Sequence, residues 1–165
     1  MKFKDRSGFT IIEVVLVITI TVVLSLGLAS FILSAMDSWV FVKSRQSALS
    51  EGRSTVERMI REIRRIRQPS SIGTAESSAI GFVDIDSRDI DFRQSGSDLL
   101  RTEQGNSNII ASGVLTPEGL VMSYYDAGLN PTAIHQNIHY VKVRLTLVKG
   151  KETVILEDGA RIRNL

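Results

Sequence analysis

From Gly8 to Leu33 the chain reads GFTIIEVVLVITITVVLSLGLASFIL, apolar almost without interruption. About 20 such residues cross the hydrocarbon core of a bilayer. From Ser44 to Arg67 the pattern changes. Leu49, Gly52, Val56, Met59, Ile60, Ile63 and Ile66 recur at steps of three and four and form one apolar stripe. Glu51, Arg53, Glu57, Arg58, Arg61, Glu62, Arg64, Arg65 and Arg67 occupy the opposite face, with Glu57 and Arg61 in the favourable i,i+4 order. Pro69 ends the pattern and forces Gln68 out of helix. Together the two segments predict one helix from Phe9 to Arg67, about 59 residues and about 88 Å long. Its first half would anchor and its second half would offer the stripe to a sheet. The stripe lasts only about two and a half heptads, which is short for a coiled coil.

Beyond Pro69 the period becomes two. Ser70 to Ser78 is small and polar and reads as a loop. Ile80–Ile85, Asp89–Gln94, Leu99–Glu103 and Ile109–Ala111 read as strands, joined at Ser95-Gly96-Ser97-Asp98 and Gly105-Asn106 into an antiparallel meander. Leu120–Tyr125 is a further strand. Val141, Val143, Leu145 and Leu147 alternate with Lys142, Arg144, Thr146 and Val148, a strand with one wet face. Gly150-Lys151 turns into Thr153–Leu156, and Ala160–Asn164 closes the sheet. The expected fold class is α+β, a long N-terminal helix packed on an antiparallel β-sheet head.

The 165 residues suit one folded domain beside the apolar segment. A net charge of +2 gives no support to a nucleic-acid partner. The sequence has no cysteine, so no disulfide staples the fold. There is no Gly-x-Ser-x-Gly and no phosphate loop ending in Gly-Lys-Ser/Thr, so the chain is read as a non-enzyme without a cofactor. Asp84, Asp86, Asp89, Asp91 and Asp98 follow strand alternation rather than a calcium loop. Asp126 and Asn130 stand among turn formers. His135 and His139 lack the setting of a zinc pair. No metal site is assigned. Trp39 and Phe41, with Lys43 and Arg45 behind them, suit either a membrane interface or packing on the head. The Arg61, Arg64, Arg65, Arg67 cluster reads as a solvated helix end, favoured by the helix dipole.

Two features of the N-terminus belong together. MKFKDRSG carries Lys2, Lys4 and Arg6 and ends in Gly, and Glu13 lies inside the apolar run. A charge at bilayer depth costs about 2.5–3.5 kcal/mol on insertion scales, so Glu13 is a functional candidate. The run exceeds a signal-peptide core and no small-x-small cleavage site follows it. A plain anchor explains the basic leader but has no use for Glu13.

Gly8-Phe9-Thr10-Ile11-Ile12-Glu13 resembles the processing site of type IV prepilins and type II secretion pseudopilins. The resemblance implies cleavage between Gly8 and Phe9 by a prepilin peptidase, N-methylation of Phe9, and retention of the helix. It implies a leader at 1–8, a membrane and polymerisation helix at 9–34, an amphipathic continuation at 35–68 and a β-sheet head at 69–165. Glu13 matches the acid that the family carries four residues after the new N-terminus. A buried amine and a buried carboxylate are each costly alone and tolerable as a pair, so Glu13 would neutralise a neighbour's amine and fix register. The implied partners are the peptidase, other minor and major subunits of a filament, and the inner membrane, with the head in the periplasm.

Within that family the head resembles J-type minor pseudopilins and W-type minor pilins. The likeness rests on the Arg-rich helix end into Pro69-Ser70-Ser71-Ile72, on Ala111-Ser112-Gly113-Val114 with Ser123-Tyr124-Tyr125-Asp126, and on Arg161-Ile162-Arg163-Asn164-Leu165. It implies a subunit that primes assembly or sits at a filament tip. The alternatives are a main or distributed pilus subunit for adhesion or DNA uptake, and a single-pass anchored periplasmic domain.

Overall fold

The computed structural model describes residues 10–150 and 152–162. By its internal contacts the chain divides after Val42. Helix α1, Ile11–Ile63, is the only α-helix among the described residues. Thr10 opens it: its carbonyl accepts from the N–H of Glu13 at 3.1 Å and from that of Val14 at 3.2 Å.

From Lys43 onward α1 belongs to the head. Ala48, Gly52, Thr55, Val56, Met59, Ile60 and Ile63 are its buried residues, so the predicted stripe from Gly52 to Ile63 is the packed face, with Ala48 and Thr55 added to it, while Leu49 is only half-buried and Ile66 lies beyond the helix end. Helix and strands share one core that includes Phe82, Ile90, Phe92, Leu99, Leu120, Val143 and Leu145. Gly52 sets the closeness of approach. A Cβ there would stand 2.1 Å from Leu156 Cδ1 and 3.2 Å from Leu147 Cδ1.

The strands form two sheets. The first runs β1 (Ile72–Glu76), β2 (Ala79–Val83), β3 (Asp89–Ser95), β4 (Asp98–Glu103) and β5 (Asn106–Ser112) in spatial order, all antiparallel. The second runs β6 (Leu120–Tyr125), β7 (Tyr140–Lys149) and β8 (Glu152–Arg161), also antiparallel. The segment between them pairs with the far half of β7: the N–H of Val148 donates to Gly113 O at 2.6 Å and that of Leu115 to Thr146 O at 3.0 Å. Gly113 has φ +75°, and a Cβ there would meet Val148 O at 2.5 Å, so glycine is required.

Several expectations need correction. Ser70 to Ser78 is not a loop: Pro69–Ser71 is a 3-10 turn and Ile72–Glu76 is β1. Small residues pair there because β2 supplies the ladder and Ile72 supplies a buried anchor. The helix stops at Ile63, short of Arg67. Bonding tightens at Arg65 N–H to Glu62 O and Ile66 N–H to Ile63 O, and Ile66 then bridges Asp84. Ile85 falls outside β2, because its N–H turns back to Arg65 O at 3.0 Å. Thr153–Leu156 and Ala160–Arg161 are one strand, β8, paired with β7 without a register shift; Ile162 lies beyond it, and Arg163 and Asn164 lie outside the described residues.

Candidate assembly site

Glu13 lies in the first turn of α1. A carboxylate at that end meets the positive pole of the helix dipole. Its N–H also lies 3.4 Å from Thr10 Oγ1. Gly8, Phe9, Lys2, Lys4 and Arg6 lie outside the described residues, so the expected pairing and cleavage positions carry no geometry here.

Among the described residues the apolar stretch that follows is exposed along its length. Leu16, Leu24, Leu26, Phe31 and Leu33 are all exposed, and α1 contains a segment long and apolar enough to cross a membrane, with none of it buried within the chain. Its hydroxyls are satisfied inside the helix. Thr19 donates to Val15 O and Thr21 to Val17 O, each at 2.8 Å, and Ser25 donates to Thr21 O at 2.7 Å. Polar side chains therefore cost little in an apolar surrounding. Trp39 is exposed.

The head carries a charge network that sequence periodicity missed. The Asp84 side chain is fully buried in the β2–β3 connection. It accepts from the N–H groups of Asp86 and Arg88, each at 2.9 Å, and from the Arg88 guanidinium at 2.7 Å. Arg65, at the end of α1, approaches Asp84 at 3.8 Å and pairs with Asp86. Arg88 continues to Glu103 at 3.2 Å, Glu103 to Arg101 at 2.8 Å, and Arg101 to Glu62 at 2.9 Å on α1. Burial alone would raise the Asp84 carboxyl. The Arg88 and Asp86 hydrogen bonds outweigh it and hold the group below the usual carboxylate range. The arginine cluster is thus split: Arg65 clasps the β2–β3 connection, Arg61 pairs with Glu57 at 3.7 Å, and Arg64 and Arg67 stay exposed. The i,i+4 spacing of Asp84 and Arg88 is the one signal that was available in the sequence.

Asp126 accepts from the N–H groups of Gly128 at 2.8 Å and Asn130 at 2.9 Å, the geometry of a turn. His135 lies in a second 3-10 turn, and His139 Nδ1 lies 2.9 Å from Asn137 O. No group of three or more metal-ligating side chains gathers among the described residues.

The decisive likeness lies at the N-terminus. Residues 3–29 match the family model described as the prokaryotic N-terminal methylation motif. The match supports a subunit of the type IV pilin and pseudopilin kind, a structural rather than an enzymatic family. It implies processing by a prepilin peptidase and assembly with other pilin-type subunits, and with the apolar helix it supports membrane anchoring. No curated protein matches the chain.

Proposed function

We propose that the chain is a minor pilin or pseudopilin that primes assembly, or forms the tip, of a type II secretion pseudopilus or type IV pilus. The observation that carries this reading is the methylation motif overlapping an unburied apolar stretch of α1 that holds a single acid, Glu13. The peptidase would cut between Gly8 and Phe9 and methylate Phe9. Lys2, Lys4 and Arg6 would keep the leader on the cytoplasmic side, with the head in the periplasm and the anchor in the inner membrane until extraction into the filament. Glu13 would pair with the amine of a neighbouring subunit and set axial register. The resemblance of the head to J- and W-type subunits, and the absence of cysteine, favour a minor role over an abundant adhesive subunit.

Quantitative mass spectrometry of sheared filaments tests the reading. It expects a peptide beginning at methylated Phe9, at trace level against a major subunit. A methylated Phe9 start at major abundance would make this a main subunit. An uncut Met1 start confined to membranes would leave an anchored domain. Glu13→Ala is expected to leave insertion and folding intact and to cut recovery in filaments at least about tenfold. Unchanged recovery would remove the register role.

A further inference from the structure

Two open sheets present four outer edges, and an uncovered edge is a template for another strand. The chain itself blunts three of them. The His135–Asn137 turn packs on β1. A register shift interrupts β5 against β4, Thr55 Oγ1 donates to Ile110 O at 3.0 Å, and Glu51 Oε1 accepts from Ser112 N–H at 2.8 Å. β6 is held by Ser77 O, Gln94 Oε1 and the returning segment at Thr132, which bond Met122 N–H, Leu120 N–H and Tyr124 O.

β8 differs. Among the described residues only β7 pairs with it. It runs for 10 residues with no register shift, and it contains no proline. The N–H of Ile162 donates to His139 O on the β7 side at 2.9 Å. By strand alternation the backbone groups of Thr153, Ile155, Glu157, Gly159 and Arg161 turn outward. The outward Gly159 N–H is already taken by the Asp158 carboxylate at 2.7 Å. Ile155 is 63% exposed on the wet face, and Asp158 is exposed on the other with no ion pair among the described residues.

A second copy is a poor occupant. Two-fold antiparallel pairing must centre on a residue, because opposed side chains share a face. Centred on Ile155 it sets Glu152 against Asp158. Centred on Leu156 it sets Ile155 against Glu157 and Val154 against Asp158. Centred on Glu157 or Asp158 it sets a carboxylate against itself, and centred on Gly159 it opposes Glu157 to Arg161 but needs the Gly159 N–H that the Asp158 carboxylate holds. We propose that β8 receives an extended segment of a different polypeptide, with an apolar side chain beside Ile155 and a cation beside Asp158. These positions lie on opposite faces, as an alternating strand provides. The inference rests on the sheet edge and stands apart from the filament reading.

The test uses the full chain in detergent micelles and a short synthetic peptide of alternating Val and Thr, with one Lys three residues from a central Val. Amide-resolved hydrogen exchange is expected to slow at least about tenfold at Thr153, Ile155 and Glu157 on saturation, and not at Ile109 in β5. Ile155→Lys should abolish the slowing while Val154 and Leu156 keep their protection against β7. Ile155→Pro should do the same at Thr153 and Glu157, since proline is tolerated on an edge whose N–H points outward. Absence of slowing along β8, or slowing at another edge instead, overturns the proposal. Slowing that follows protein concentration without peptide overturns it in favour of a second copy. Equal binding by a peptide with Lys replaced by Ser overturns the cation assignment.

Discussion

Asp84 shows how much one side chain can hold. It is fully buried, yet it accepts two backbone N–H groups and a guanidinium, so its charge is matched on every side the structure describes. Removing one partner of such a group strands the others. Asp84→Ala is expected to cost about 3 kcal/mol, at the lower end for a buried pair because Arg88 is partly open to water. Urea unfolding of the wild-type and variant heads measures it; a change below about 1 kcal/mol would reduce the network to a surface pair. The sequence offered five aspartates on a strand-like alternation and no means of telling which was buried. Burial of Asp84 depends on Ile66 arriving beside it from the helix end, a contact between distant residues.

At the scale of elements, the junction between the two sheets rests on Gln94. Its Nε2 donates to Gly96 O at 3.0 Å and to Leu115 O at 2.8 Å, and its Oε1 accepts from the buried Leu120 N–H at 2.9 Å. Tyr124 reinforces the junction, with its hydroxyl on Glu76 O at 2.8 Å and Ala79 O at 2.9 Å. Burial pushes that phenol well above its ordinary pKa, so it stays a neutral donor. Gln94→Leu keeps the size of the side chain and leaves the Leu120 N–H without its partner. The expected loss is about 1–3 kcal/mol, with the fastest rise in amide exchange at Leu120. Uniform loss across both sheets would deny Gln94 its local role.

For the whole molecule, the buried hydrophobic residues begin at Ala48, and none precedes it among the described residues. A chain starting at Lys43 is therefore expected to fold as a soluble head, with a melting midpoint within about 3 °C of the full chain. A molten fragment would show that the apolar segment stabilises the head. The carboxyls of Asp84 and Glu51 are lowered because hydrogen bonds outweigh burial, and those of Glu103 and Glu157 because of their Arg and Lys partners. A lowered folded value contributes stability above the unfolded value, near pH 4, and that stability is lost as pH falls through the folded value. The urea midpoint of the head should therefore fall below about pH 4. Asp84→Asn should make that fall shallower; an unchanged acid limb would place the linkage on other carboxyls.

Local pattern determined the apolar segment, the amphipathic stripe, the acid at Glu13, the leader motif and most strands. Each depends on spacing between near neighbours, which hydrophobic periodicity reports directly. Tertiary structure decided the rest: the division into two sheets, the early end of α1 at Ile63, the pairing of a polar segment as β1, and the Arg65–Asp84–Arg88 clasp. These depend on which distant residues meet. A backbone group takes whatever partner the fold brings to it, and no period along the chain records that partner.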